Sequence, residues 1–189
     1  LLGGDEAFNE KLDELFSMSS ELGEEASMDI TGLIGQYAHG NEPSHHTTYM
    51  YAYSGEHYKI ADKVRYINNE LYTDEPNGLS GNEDCGQMSA WYILSSMGFY
   101  PVNPSNGAYV FGSPLFDEVS LNIPGQNKFK ISAKNNSDKN IYIQSVSLNG
   151  EDYKYSYITH KQILEGGKLE FVMGPNPNKN FGKEKKYRP

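Results

Sequence analysis

Two segments of the sequence combine glycine with clustered carboxylate, amide and histidine side chains. The first, residues 35–46, reads GQYAHGNEPSHH, and the second, residues 81–91, reads GNEDCGQMSAW. In the first segment three histidines and Glu42 lie within eight positions, and Gly40 and Pro43 require the backbone to bend sharply. Polar groups that converge on such bends are typical of a catalytic or binding site. We expect the two segments to face each other.

The carboxylates of both segments follow residues that can begin a helix. Asn41 and Asn82 are the predicted N-caps, and three carboxylates come directly after them: Glu42, Glu83 and Asp84. Free N–H groups at a helix N-terminus favour an ionised carboxylate, so these groups suit a base, a metal ligand or an acceptor of sugar hydroxyls better than a general acid. Pairing with the helix dipole is the alternative role, but the extra glycines and amides exceed what capping requires.

The histidines of the first segment allow more than one role. For His45 and His46, aromatic packing in a partly buried helix and contact with a substrate are equally compatible with the sequence, whereas His39 fits packing better. Together with Glu42 they could form a zinc site, but their spacing matches no zinc signature and Pro43 interrupts it. A calcium ion would instead use asparagine and glutamate oxygens from separate segments, because there is no contiguous calcium loop.

The composition limits the classes of partner. A hydrophobic fraction of 37% supports a folded core, and a net charge of -9 without a basic stripe disfavours nucleic acid and anionic membranes, which both require positive surface. Cys85 is the only cysteine, so an internal disulfide is excluded, and we interpret it as a small packing residue rather than a nucleophile. No apolar stretch is long enough to span a bilayer.

Residues 1–100 are predicted to be helical. Helices are expected over residues 5–17, 43–53, 60–71 and 82–98. The first, third and fourth of these have apolar residues at helical spacing. Asp5 is the expected cap of the first helix, and Gly98 supplies a left-handed end to the last. Residues 19–35 are predicted to form a loop.

From residue 101 onward the pattern changes to strands. Five segments alternate apolar and polar residues with period two: 109–111, 119–123, 129–133, 141–148 and 169–173. Turn sequences separate them, among which Asn149-Gly150 favours a two-residue hairpin. Short strands at this spacing indicate an antiparallel β-sandwich over residues 101–175. Residues 176–189 are predicted to be an irregular tail.

Several long motifs resemble those of glycoside hydrolase family 92, the calcium-dependent exo-acting α-mannosidases. Besides residues 35–46, these motifs are GLSGNEDCGQMSAW at 78–91, MGFYPV at 97–102, GSPLF at 112–116 and MGPNP at 173–177. The resemblance covers essentially the whole chain. Because family members are several times longer, it indicates that this chain corresponds to their C-terminal part, in keeping with a start at Leu1 without methionine.

The resemblance implies an α + β multidomain fold. Residues 1–100 would be the last helices of an (α/α)6 toroid, and residues 101–175 would be a β-sandwich segment that packs with an N-terminal sandwich outside this chain. It also implies a protein exported by a bacterium to the periplasm or the medium, although this chain contains no export signal.

The resemblance further implies hydrolysis of terminal α-linked mannose with inversion at the anomeric carbon. A carboxylate base would activate water, and calcium would help to distort the mannose ring. By matching motif, Asp84 is the expected base, with Glu83 beside it, and which of the two positions the water stays open. The ligand contacts expected in the same pocket are Asn41 and Glu42 for calcium, and Glu42, His45 and His46 for the sugar.

The partners that the resemblance implies are a mannose-containing glycan and the remainder of the polypeptide. The general acid would lie upstream of Leu1, so we expect residues 1–189 alone to be inactive. Two alternatives stay open at this point. One is a non-catalytic carbohydrate-binding module, in which residues 101–175 bind sugar, and the other is a zinc hydrolase built on His39, His45 and His46.

Overall fold

The structure is a computed structural model that describes residues 2–23, 30–125 and 128–189. Within these ranges it has four α-helices: α1 (Asp5–Ser17), α2 (Lys59–Glu70), α3 (Gln87–Met97) and α4 (His160–Leu164). Short 3-10 helices cover Glu42–Ser44, Thr47–Ala52, Pro104–Asn106 and Lys185–Tyr187. None of the helices in these ranges is both long enough and apolar enough to cross a bilayer.

The long helices follow the apolar periodicity of the sequence. Helices α1 and α2 confirm two of the predictions, and in α2 the side chains of Ile60, Val64 and Ile67 are fully buried. Asp5 does not cap α1, because Gly4 takes the cap position and Asp5 lies in the first turn. A carboxylate in the first turn still interacts favourably with the positive end of the helix.

Two helix predictions near the candidate site are wrong. Residues 43–53 form separate 3-10 helices instead of one α-helix. This segment is rich in threonine and tyrosine, which are poor helix formers, and the rings of Tyr49 and Tyr51 are fully buried in the core. Helix α3 begins at Gln87, after a left-handed Gly86, and not after Asn82. Gly98 ends α3 with a φ of 102°, as predicted.

A small hairpin replaces part of the predicted loop over residues 19–35. Strands β1 (Leu33–Ile34) and β2 (Tyr37–Ala38) pair antiparallel. Gly35 joins them with a φ of 62°, and a side chain there would lie 2.4 Å from the carbonyl oxygen of Leu15 in α1. The hairpin therefore depends on glycine at this position. Residues 24–29 of the predicted loop lie outside the described residues.

The second half of the chain forms two sheets. One has the order β3-β4-β9, and the other has the order β5-β6-β10-β7-β8. Their strands are β3 (Phe99–Asn103), β4 (Ala108–Phe111), β5 (Glu118–Leu121), β6 (Phe129–Lys134), β7 (Tyr142–Leu148), β8 (Glu151–Asp152), β9 (Tyr157–Thr159) and β10 (Gly167–Gly174). The five segments predicted as strands all contain one, but strands begin at Phe99 and not after residue 100.

The prediction of an entirely antiparallel arrangement is wrong for one pair. Strand β10 runs parallel to β6, because the chain returns through β8, β9 and α4 before β10 enters between β6 and β7. The hairpin between β7 and β8 is confirmed: Asn149 and Gly150 have φ values of 54° and 89°, and Leu148 pairs with Glu151. Positive φ at both central residues is what such a turn requires.

The two sheets share one core, and the helices enclose another. In the first core, the rings of Phe111 from β4 and Phe171 from β10 meet edge to face with their centroids 5.1 Å apart. The second core surrounds Trp91 and joins α1, α2 and α3 to β3 and β4. Leu94 packs against both cores. We call residues 2–98 the helical half and residues 99–174 the sheet half.

Buried polar side chains join the two halves. Arg65 of α2 donates from Nε to the hydroxyl of Ser113 at 2.9 Å and from a guanidinium nitrogen to the carbonyl of Pro114 at 2.6 Å. The Nε2 atom of His57 is 2.8 Å from the carbonyl oxygen of Phe111. Burial of the His57 ring lowers its pKa to about 4. The tail is largely irregular, but Arg188 ties it to Asp5 of α1 at 2.7 Å.

Candidate active site

The two glycine-rich segments meet, as the sequence predicts. A Cβ added to Gly81 would lie 2.6 Å from the carbonyl oxygen of Gly40, and one added to Gly40 would lie 2.4 Å from the carbonyl oxygen of Ser80. Thr31 donates its hydroxyl to the same Ser80 oxygen. Glycine is therefore required at both positions by the closeness of the two backbones, and not by capping.

His39 lies at the centre of a buried hydrogen-bond network. Its Nδ1 is 2.8 Å from the hydroxyl of Tyr37, and its Nε2 is 2.7 Å from the hydroxyl of Tyr72. Tyr72 donates to the carbonyl of Met88 at 3.0 Å, so it must accept from His39, and Tyr37 must donate to His39. The ring is thus neutral with its proton on Nε2. Burial, followed by the nearby His45, lowers the pKa of His39 to about 3.

His45 stacks on His39 and has both of its ring nitrogens engaged by the protein. The ring centroids are 4.6 Å apart. Nε2 donates to the carbonyl of His39 at 2.9 Å, and Nδ1 accepts from the Gln87 amide at 3.2 Å. Trp91 donates its indole N–H to the His45 carbonyl at 3.1 Å. Burial is the main cause that lowers the pKa of His45, so this ring is also neutral.

We call His39, His45, Tyr72 and Trp91 the histidine wall. Because all four ring nitrogens of the two histidines are already in hydrogen bonds, neither histidine has a free lone pair for a zinc ion in this arrangement. The described residues contain no group of three or more histidine, cysteine, aspartate or glutamate side chains that could hold a metal. His46 is different, since it is half-buried and no hydrogen bond to its ring occurs within the described ranges.

Gly86 holds the cap position of α3, so Asn82 is not its cap, but the Glu83 side chain accepts two bonds from the first turn of the helix. One carboxylate oxygen accepts the backbone N–H of Ser89 at 3.1 Å, and the other accepts the Ser89 hydroxyl at 2.7 Å. Ser89 is the third residue of α3. The hydroxyl bond, followed by the N–H bond, lowers the pKa of Glu83. The prediction of a carboxylate held ionised at a helix N-terminus therefore applies to Glu83.

Asp84 lies on a strained turn before the helix, and not in its first turn as predicted. The φ values of Asp84, Cys85 and Gly86 are 43°, 59° and 86°. Left-handed residues other than glycine cost about 1–3 kcal/mol each, and they occur preferentially at functional sites. The Asp84 side chain is exposed and makes no hydrogen bond within the described part of the chain. We call residues 83–86 the Asp84 turn.

Glu42 and Asn41 lie in the first segment, at the start of a three-residue 3-10 helix. Asn41 occupies the cap position but its side chain makes no capping bond, so its predicted role as a cap is wrong. The Oε1 atom of Glu42 is buried and has no hydrogen-bond partner among the described residues. A buried carboxylate oxygen without a partner is costly, and Asn41, the preceding residue, is exposed. These residues fit a hard cation or a sugar hydroxyl.

Several residues of the site carried no recognisable signal in the sequence. Tyr72 completes the histidine wall from a position just after the end of α2. The sequence around it indicates the end of a helix and nothing more. Gln87 and Ser89 belong to the second segment, but in sequence they read as ordinary helical residues. The arrangement as a whole offers one free carboxylate on Asp84, one buried and unpaired carboxylate oxygen on Glu42, and a rigid aromatic wall. A free carboxylate is a group that can act as a base toward water, and carboxylate oxygens can accept hydrogen bonds from a polyhydroxyl ligand.

Comparison with known proteins is consistent with this chemistry. The family model "Glycosyl hydrolase family 92 catalytic domain" matches residues 1–175. The structure is similar to that of a family GH92 α-mannosidase from Bacteroides thetaiotaomicron, with 40% identity and a TM-score of 0.89 over 98% of this chain and 24% of that one. An inverting family GH92 mannosidase of the same organism is 36% identical, with a TM-score of 0.85 over 100% of this chain and 27% of that one.

A curated fungal protein is also similar. An uncharacterized secreted glycosidase of Arthroderma benhamiae is 34% identical over 138 residues, which are 71% of this chain and 18% of the fungal protein. The Bacteroides α-mannosidase has also been solved in complex with mannoimidazole, and that structure gives a TM-score of 0.92 with 41% identity. The chain thus spans about a quarter of the length of the solved structures.

Proposed function

Because the chain belongs to glycosyl hydrolase family 92, we propose that it is the base-bearing part of an exo-acting α-mannosidase that releases terminal mannose from glycans with inversion. The observation that carries the proposal is the exposed carboxylate of Asp84, which lies on a strained turn and has no partner within residues 2–23, 30–125 and 128–189. Two relatives whose names describe an α-mannosidase and an inverting mannosidase support the choice of substrate and outcome.

Asp84 is the proposed base. An inverting glycosidase needs a carboxylate that removes a proton from the attacking water, and a second carboxyl group about 6.5–9.5 Å away that protonates the departing oxygen. Asp84 has both of its oxygens free for the water, whereas both oxygens of Glu83 accept hydrogen bonds from Ser89. The general acid then comes from polypeptide outside residues 1–189, and the chain alone is inactive.

The first segment binds the sugar and calcium in this proposal. Asn41 and Glu42 would hold the ion, which supplies Lewis-acid polarisation of sugar hydroxyls and favours a distorted ring. Glu42 and His46 contact the mannose, because Glu42 has an unpaired buried oxygen and His46 has no protein partner in the described ranges. His45 belongs to the same pocket as a rigid wall, which excludes water and fixes the position of the neighbouring residues.

The remainder of the polypeptide completes the enzyme. Helices α1, α2 and α3 would be the last helices of an (α/α)6 toroid, and the sheet half would pack with a further β-sandwich. The name of the fungal relative describes a secreted protein, which supports export of the polypeptide that contains this chain.

The test is hydrolysis of α-mannobiosides by the complete polypeptide, with and without a calcium chelator, while NMR follows the anomer that is released. We expect β-mannose, and we expect its release to stop on chelation and return with added calcium. Initial release of α-mannose would contradict inversion, and activity that survives chelation would remove calcium from the mechanism. Binding of mannosides without any hydrolysis would favour a carbohydrate-binding module instead.

A further inference from the structure

The Asp84 turn contacts the first turn of α3 through backbone hydrogen bonds and through one pair of side chains, Glu83 and Ser89. Within the turn, backbone bonds run from Gln87 N–H to the Asp84 carbonyl at 3.2 Å and from Met88 N–H to the Glu83 carbonyl at 3.4 Å. Both bonds are long, and the turn contains three successive left-handed residues. The shortest link to the helix is the Ser89 hydroxyl on Glu83, at 2.7 Å. A further backbone bond, from Ala90 N–H to the Gly86 carbonyl at 2.9 Å, holds the end of the turn, so the Glu83 side chain is the short contact that holds its beginning.

The two oxygens of Glu83 have different partners on the same serine. The backbone N–H of Ser89 would be present with any residue except proline at this position, but only the hydroxyl reaches the second oxygen. With both oxygens bound, the carboxylate cannot rotate. With the hydroxyl absent, one oxygen is free, and the carboxylate and the backbone of the next residue, Asp84, can move.

We propose that Ser89 is a positioning residue, whose hydroxyl holds Glu83 and thereby fixes the turn that presents the Asp84 carboxylate to the attacking water. The inference rests on the proposed function, because it assigns a step to Asp84. It separates the two neighbouring carboxylates: Asp84 contacts the water, and Glu83 acts on Asp84 through the backbone. A base that is displaced by a fraction of an ångström still leaves the substrate pocket intact, so the loss concerns turnover and not binding.

Kinetics of the complete polypeptide test the proposal with two substitutions at one position. Ser89→Ala removes the hydroxyl and keeps the N–H bond, and we expect kcat to fall about tenfold with KM within about twofold of its original value. Ser89→Thr keeps a hydroxyl and is expected to restore kcat to within about threefold. The matched control is Ser105→Ala, which removes a hydroxyl bond of the same 2.7 Å length, to Asn103 in the sheet half. It should leave kcat and KM unchanged.

Cys85 is exposed and lies in the turn before α3, so the predicted packing role is wrong. Because it lies next to Asp84, it reports on the turn independently of turnover. Its rate of alkylation by iodoacetamide, followed by peptide mass spectrometry, should rise at least twofold in Ser89→Ala and return in Ser89→Thr. An active parent enzyme whose kcat is unchanged by Ser89→Ala would overturn this inference alone. A loss of kcat that Ser89→Thr does not rescue, or that leaves the alkylation rate unchanged, would also overturn it. An inactive parent enzyme would instead overturn the proposed function.

Discussion

The histidine wall and the Asp84 turn lie in neighbouring segments of the proposed site but are built in opposite ways. In the wall, His39 and His45 are almost fully buried, and each ring nitrogen has a protein partner. In the turn, Asp84 is exposed, unpaired within the described residues and left-handed. A histidine whose two ring nitrogens are already hydrogen-bonded to the protein can contact a ligand only by packing. An unpaired carboxylate can still accept a proton or a hydrogen bond.

The same contrast holds for charge. Burial keeps both wall histidines neutral, because a low-dielectric interior disfavours the charged form. The carboxylate of Glu83 is kept ionised, because two hydrogen bonds from Ser89 stabilise its charge and lower its pKa. The wall histidines are therefore neutral, whereas the Glu83 carboxylate is anionic.

The largest effect should follow substitution of the free carboxylate. Asp84→Asn in the complete polypeptide is expected to lower kcat about a thousandfold or more, the loss typical of a missing general base. Because asparagine tolerates the left-handed conformation well, the melting temperature should change little. Glu83→Gln is the control: it can still meet both Ser89 groups, so kcat should fall less than about tenfold. Equal losses for the two variants would mean that Glu83 shares the proton transfer.

The second effect separates a wall histidine from a ligand histidine. His39→Ala leaves a cavity and an unpaired Tyr37 hydroxyl in the core, and we expect the free energy of unfolding to fall by about 2–4 kcal/mol. His46→Ala should change stability little but raise KM about three- to tenfold, if His46 contacts mannose. Chemical denaturation and steady-state kinetics of both variants provide the measurement. A His46→Ala variant with unchanged KM would remove His46 from the substrate pocket.

A third effect concerns pH. The pKa of His39 is about 3 in the native state against 6.5 for an ordinary histidine, so between these values the unfolded chain binds a proton that native His39 does not. Stability from this residue is fully present above pH 6.5 and falls by about 1.4 kcal/mol for each pH unit below it. His57, with a pKa of about 4, acts in the same direction over most of this window.

Denaturation midpoints at pH 7 and pH 5 test this effect. The decrease between the two values should be smaller in His39→Gln than in the original protein, because the substitution removes one of the protons taken up on unfolding. An equal decrease in both proteins would mean that His39 is already protonated in the native state, and the tautomers assigned to the wall would then be wrong.

Local patterns predicted much of the scaffold and less of the site. Helix α2 follows from the spacing of its buried apolar residues, and the hairpin at Asn149-Gly150 follows from two residues that accept positive φ. The glycine and carboxylate clusters of residues 35–46 and 81–91 also indicate the two segments of the candidate site, and the structure confirms that these segments meet. These features depend on residues that are close in sequence.

The parts that could not be predicted depend on contacts between distant residues. Tyr72 joins His39 across 33 positions, and nothing in its neighbourhood indicates that role. The parallel pairing of β10 with β6 depends on which strands the returning chain can reach. The late start of α3 is a local exception, because three left-handed residues, 84–86, precede Gln87. Asparagine is a good cap in isolation, but the preference of Asn82 alone does not indicate this backbone conformation.

The smallest effect concerns Glu42, whose unpaired carboxylate oxygen is buried, whereas the unpaired carboxylate of Asp84 is exposed, both within the described residues. The buried Oε1 atom of Glu42 has no partner in the part of the chain that the structure describes. In calcium-free buffer Glu42→Gln should therefore raise the free energy of unfolding by up to about 1 kcal/mol, since a neutral amide is less costly to bury than a carboxylate. Added calcium should stabilise the original protein and not the variant, because a ligand that binds only the native state shifts the unfolding equilibrium.

The control for this experiment is Glu151→Gln, which removes the same charge from an exposed position in β8. It should leave both the calcium-free stability and the calcium response unchanged. If Glu42→Gln destabilised the calcium-free protein instead, the carboxylate would have a structural partner outside the described residues, and the oxygen would not be available for calcium. A calcium response that is equal in the two variants would place the ion away from Glu42. A calcium response that is lost only in Glu42→Gln would mean that the carboxylate that destabilises the calcium-free protein is also the one that binds the ion.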